Sequence, residues 1–153
     1  MSPRINHFAV APDLLQPMLD MEDRLRASGL EHSLIELVKL RVSQINGCGY
    51  CIHMHTHDAR ANGETEYRLH LLNAWHESSL YSDRERAALA WAETLTRIET
   101  SRASDKVYKA MAGQFSEQDQ VALTLVITTI NAWNRLAIGF AIPHPESSEA
   151  NAA

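Results

Sequence analysis

Cysteine is scarce in this sequence. There are two in 153 residues, Cys48 and Cys51, three positions apart. So few thiols make a structural staple a poor reading in a reducing compartment, where a close pair is catalytic or metal-binding more often than structural. Basic charge is also short: 14 Lys and Arg stand against 19 Asp and Glu, for a net −5. The cations are scattered and form no stripe, which argues against a nucleic-acid partner. No apolar run near the N-terminus is long enough for a secretory leader. The longest apolar segment, "VALTLVITTINAWNRLAIGFAI", is interrupted by Asn131, Asn134 and Arg135. A membrane span of about 20 residues rarely tolerates all three. Glycine and proline, six and five, build no low-complexity linker, and no internal repeat is evident. The expectation is one cytoplasmic domain over residues 1–153, with a core over about 15–142 and a disordered tail over 143–153.

What is present reads as helices separated by caps, an all-α fold of six to seven helices. "DLLQPMLDMEDRLRAS" predicts a first helix bent at Pro17 and ended by Gly29. Ser33 and Glu36 have capping-box spacing and open the next helix, which Asn46-Gly47 ends. A third helix is expected from Cys48 to Gly63, and "ETEYRLHLLNAW" gives a short fourth. Ser82 and Glu85 form a second capping box, ahead of a helix whose Ala88, Trp91, Leu95 and Ile98 share a face. "SDKVYKAMAG" is a short helix closed by Gly113. Ser116 caps the last helix, where Val126, Ile130, Trp133, Ala137 and Phe140 keep helical spacing despite a strand-like Val/Thr/Ile front half. That helix is apolar almost all round, so an oligomer interface is its expected sink.

The chemistry concentrates in "QINGCGYCIHMHTHDAR". At about 100° per residue, Cys51 lies about 60° from Cys48, and His55 about 20° from Cys48. These three share a face, while His53 and His57 point away. Cys48 falls in the first turn, where free N–H groups and the helix dipole favour a thiolate. Cys51 has His55 four residues on as a base. A pair so placed can close a disulfide, and either sulfur can capture a sulfenic acid on the other. Covalent haem attachment needs C-x-x-C-H, and Ile52 follows Cys51. Zinc could use Cys48, Cys51 and His55 but lacks an evident fourth ligand. Two inert buried cysteines are the plain alternative.

The pattern E-x11-C-x2-C-x3-H, carried by Glu36, Cys48, Cys51 and His55, resembles the alkylhydroperoxidase AhpD core of the carboxymuconolactone decarboxylase-like superfamily. "RERAALAWAETLTRI" and "NAWNRLAIGF" are similar to its downstream helices. The resemblance covers roughly residues 15–142. It implies a helical fold assembled as homo-trimers or homo-hexamers, with no metal, haem or other cofactor. It implies reduction of hydrogen peroxide or alkyl hydroperoxides, with Cys51 peroxidatic, Cys48 resolving, and Glu36 with His55 as a proton relay. A lipoylated or thioredoxin-like dithiol donor would then re-reduce the pair. The residues themselves divide on the order of the cysteines. The helix end favours Cys48 as the more acidic thiol, and the more exposed one for a bulky donor, while His55 favours Cys51. Glu36 can alternatively complete the cap at Ser33. Tyr50 stands where relatives can carry a second histidine, and a phenol is a poor proton shuttle near neutral pH. Asp58 either orients His55 or is a solvated charge. Trp75, Trp91 and Trp133 read as core or interface aromatics. The competing functions are decarboxylation of a muconolactone-type acid, whose enzymes work without the cysteine pair, and a non-catalytic redox-sensing oligomer.

Overall fold

The computed structural model describes residues 2–145. Among them are nine α-helices, one 3-10 helix and no strand. The order is α1 (His7–Val10), α2 (Pro12–Arg26), α3 (His32–Asn46), α4 (Gly49–Ala61), α5 (Glu66–Leu71), a 3-10 helix (Leu72–Glu77), α6 (Asp83–Thr96), α7 (Ile98–Ser101), α8 (Asp105–Ala112) and α9 (Glu117–Gly139). The two α-helices beyond the expected seven are α1 and α7, each of four residues. Of the tail expected over 143–153, residues 143–145 have no regular structure and 146–153 lie outside the described residues.

α3 is the central element. It packs against α4, α6 and α9, and every residue from Leu37 to Ser43 is buried. One core joins α3 to α6 and α9 through Leu34, Val38, Val42, Ala88, Leu123, Val126 and Ile130. A second lies behind it, where Leu37 and Leu40 meet Leu69, Leu72, Trp75 and Leu89. A helix enclosed on both sides must bury its charges too, and it does so in pairs. Lys39 meets Glu22, and Arg41 donates to Glu93 at 2.8 Å. Breaking one member of such a pair leaves an uncompensated charge in a poorly solvated site.

α9 is helical throughout, which settles its strand-like front half. Its length and composition would suffice to cross a membrane. In the fold, Val126, Ile127, Ile130 and Asn134 are at most 1% exposed. Asn134 donates to Ser43 at 3.1 Å and accepts from Asn46 at 2.8 Å. These polar groups fix how α9 sits on α3, because an unpaired amide there would be costly. Val121 and Ile138 remain exposed on its outer face.

Several local expectations change. α2 runs from Pro12 to Arg26 with Pro17 inside it, where the missing N–H leaves the Asp13 carbonyl without its helical donor, and it ends before Gly29. Ile98 does not extend the face of α6, which stops at Thr96, and it is exposed. "ETEYRLHLLNAW" is not one helix, because it tightens into the 3-10 segment and kinks at Ala74. The Ser82–Glu85 capping box forms in both directions. The one expected at Ser33 does not. α3 has its N-cap two residues earlier, at Glu31, and no side chain bonds there. That leaves the Glu36 carboxylate for another partner.

Candidate active site

Gly47 sets the site's geometry. Its φ of 70° is a left-handed conformation that suits glycine, and it ends α3 with the Cys48 N–H returning to the Ser43 carbonyl at 3.0 Å. The chain therefore turns at once into α4 with Cys48 as its N-cap. The Cys48 sulfur accepts from the Cys51 N–H at 3.3 Å. Sulfur thus takes the place a Ser or Asp oxygen has in an ordinary cap. The two sulfurs are joined as a disulfide, with the Cα atoms 5.3 Å apart.

One and two turns along α4, the side chains separate as helical geometry requires. Cys51 and His55 are buried, whereas His57 is exposed. His53 is half-buried and stacks on His144, with ring centroids 5.9 Å apart. His55 Nδ1 lies 2.7 Å from Glu36 Oε2. With Nδ1 donating to the carboxylate, Nε2 carries the ring's free lone pair. That Nε2 is buried and has no hydrogen-bond partner. Two helices thus supply one constellation: Glu36 from α3, and Cys48, Cys51 and His55 from α4.

A cavity of about 700 Å³ opens onto this group. Cys51, His55 and Glu36 line it, and so does Tyr50. Cys48 does not. The expectation that Cys48 is the more exposed thiol is corrected: it is 1% exposed and Cys51 2%. As an N-cap its side chain turns back over the helix end, and the core packs around it. Cys51 is therefore the sulfur that a molecule in the cavity would meet.

Asp58 also lines the cavity, but its hydrogen bond goes to His57 Nδ1 at 3.2 Å, and Glu36 has the contact with His55. Glu36, His55 and Asp58 each offer a ligand atom within 4.8 Å of the others. They are the residues best placed to approach a cation. The Glu36 oxygen is already engaged by His55, which makes the arrangement a hydrogen-bonded dyad with a carboxylate beside it. His70 is exposed near Glu66, well apart from this group in the sequence of elements.

A further part of the cavity wall has no local signal in the sequence. Trp75 and Trp91 are core residues, but Trp133 lines the cavity and donates to Glu22 at 3.1 Å. Glu22 in turn pairs with Lys39, whose side chain is 4% exposed. Lys39 stands one turn from Glu36 on α3, a spacing that could have signalled a shared face. The leading residues, read as preceding the fold, complete the enclosure. Asn6 caps α1 by accepting from the Ala9 N–H. The Arg4 N–H and guanidinium both bond the end of α9, at 2.8 Å to the Phe140 and Gly139 carbonyls. His7 stacks on Phe140 and Phe8 on Trp133.

Comparison with known proteins agrees with this architecture. Residues 12–94 match the carboxymuconolactone decarboxylase family. The chain is 44% identical over 138 residues to the uncharacterized protein YdfG of Bacillus subtilis (strain 168), covering 90% of this chain and 94% of that one. The crystal structure of ATU0492 from Agrobacterium tumefaciens, a protein of unknown function and a candidate antioxidant defence protein AhpD, superposes with a TM-score of 0.92 at 38% identity. That match covers 95% of this chain and all of the other. The debrominase Bmp8 shares the fold at 19% identity, with a TM-score of 0.83 over 94% of this chain and 77% of its own. This chain belongs to the carboxymuconolactone decarboxylase family and has its AhpD-like, all-α fold.

Proposed function

We propose that this protein is a thiol-dependent peroxidase that reduces hydroperoxides through Cys51 and Cys48. The observation that carries the reading is the placement of one sulfur of a bonded pair, Cys51, on a cavity it shares with the His55–Glu36 dyad.

In the reduced protein, the lone pair on His55 Nε2 accepts the Cys51 proton. The Cys51 thiolate attacks the terminal peroxide oxygen and breaks the O–O bond. The departing alkoxide takes a proton from the His55 imidazolium and leaves as the alcohol, with Cys51 as a sulfenic acid. Glu36 holds Nδ1 and compensates the charge on the ring while it carries both protons. Cys48, already against the Cys51 backbone N–H, attacks the sulfenic sulfur. Water is released and the disulfide forms. Two electrons and two protons from a dithiol donor restore the pair. A lipoylated or thioredoxin-like protein has the required chemistry, and a reducing compartment such as the cytoplasm would sustain the cycle. The exposed apolar side chains of α9 support assembly into a homo-oligomer of this chain.

The test is peroxide consumption with several dithiol donors, run beside Cys51→Ser and Cys48→Ser. Cys51→Ser should abolish turnover. Full turnover by that variant would refute the reading.

A further inference from the structure

The apolar wall of the cavity combines a strap from the N-terminus with the central helices. Phe8 stacks on Trp133 at a centroid distance of 6.0 Å, and Leu19, Met54 and Ile130 extend the surface. At about 700 Å³ the space is far larger than hydrogen peroxide needs and lies in the range of organic ligand sites.

Its charges are unevenly distributed. Glu22, Asp23, Glu36 and Asp58 line it, against Arg26 and Lys39. Each cation has a carboxylate beside it. Lys39 is buried against Glu22. Arg26 lies 3.8 Å from Asp23 at the exposed rim, where water screens both. Among the described residues, two buried side-chain atoms lack hydrogen-bond partners, His7 Nδ1 and His55 Nε2. Both residues line this cavity. The lone pair on His55 Nε2 can accept from a hydroperoxide O–H, in a space whose lining carboxylates outnumber its cations four to two.

We infer that the cavity selects neutral organic hydroperoxides with an apolar or aromatic body and rejects those bearing a carboxylate. The inference rests on the peroxidase reading and adds the substrate class. It also weighs against a muconolactone-type acid as ligand, since such an acid would need a cation to receive it.

The experiment uses the full chain and a matched pair, cumene hydroperoxide carrying a para-carboxylate and the methyl ester of the same compound. kcat/KM for the ester should exceed that for the acid by about tenfold or more, with most of the difference in KM. Glu22→Gln, which removes one carboxylate and releases Lys39, should narrow that ratio. In parallel, the non-reactive alcohols of the same pair are titrated against tryptophan fluorescence, with Trp133→Phe to assign the signal. The ester alcohol should quench Trp133 at lower concentration than the acid. Acid and ester within about twofold of each other in either measurement, or a preference for the acid, would overturn the inference. If no hydroperoxide at all is consumed, the peroxidase reading fails, while the alcohol titration still decides charge selection.

Discussion

Glu36 and His55 are 19 positions apart in the chain and 2.7 Å apart in space. The contact requires Gly47, which reverses the chain between α3 and α4 and lays the carboxylate of one helix against the ring of the next. It fixes which imidazole nitrogen faces outward. His55→Gln should therefore lower kcat/KM for a hydroperoxide by about 100-fold or more. Glu36→Gln, which keeps the shape and loses the charge, should lower it by about tenfold to 100-fold. Stopped-flow peroxide consumption measures both, and equal rates for Glu36→Gln and the unaltered protein would exclude a relay through Glu36.

The Lys39–Glu22 pair predicts an asymmetry between single and double replacement. The two side chains are 4% and 12% exposed. Glu22→Ala leaves a buried ammonium without its partner and should destabilise the fold by about 3–5 kcal/mol. Lys39→Met combined with Glu22→Leu removes both charges and should recover most of that loss. Urea unfolding monitored by circular dichroism compares them, with the single replacement expected to have much the lower midpoint.

How far the sequence disclosed this arrangement depends on whether the signal was local. The helices α4 and α6, the cap at Ser82 and the common face of Cys51 and His55 follow from spacing within a few residues and were legible, whereas Cys48 proves to be the cap of α4 and lies off the cavity. The Ser33–Glu36 cap misled because the same spacing suits two uses, and only the position of α4 decides between them. The Glu22–Lys39–Trp133 wall was hidden because Glu22 and Trp133 lie 111 positions apart. Nothing in either segment marks them as neighbours. The leading residues were passed over because a four-residue helix has too little periodicity to detect. Only Asn6, a good N-cap residue, hinted at it.

Glu93 predicts the acid limit of stability. Burial alone would raise its carboxyl, but hydrogen bonds from Trp75 and Arg41, together with the Arg41 charge, outweigh burial and hold it below the ordinary value of 4.5. A depressed carboxylate contributes stability above its unfolded value, and that stability is lost as pH falls through the folded one. Unfolding free energy should thus decline as pH drops below about 4.5. In Glu93→Gln the protein should be less stable at neutral pH, with a shallower decline on acidification. Urea midpoints across the pH series test this, and parallel curves for the two proteins would contradict it.

Asn134 is 0% exposed and bonds both Ser43 and Asn46. Asn134→Ala should cost about 1–3 kcal/mol, since it opens space and leaves the buried Ser43 hydroxyl without its partner. Chemical denaturation gives the size, and a loss much below that range would mean water replaces the amide.

The central claim is that Cys51 is the sulfur that meets peroxide. The most direct test is single-turnover consumption of a hydroperoxide by the fully reduced protein, followed by intact-mass analysis. The unaltered chain should consume one equivalent and end two hydrogens lighter. Cys48→Ser should consume one equivalent and retain one oxygen, as the Cys51 sulfenic acid. Cys51→Ser should consume none. Consumption by Cys51→Ser as fast as by the unaltered chain would contradict the account.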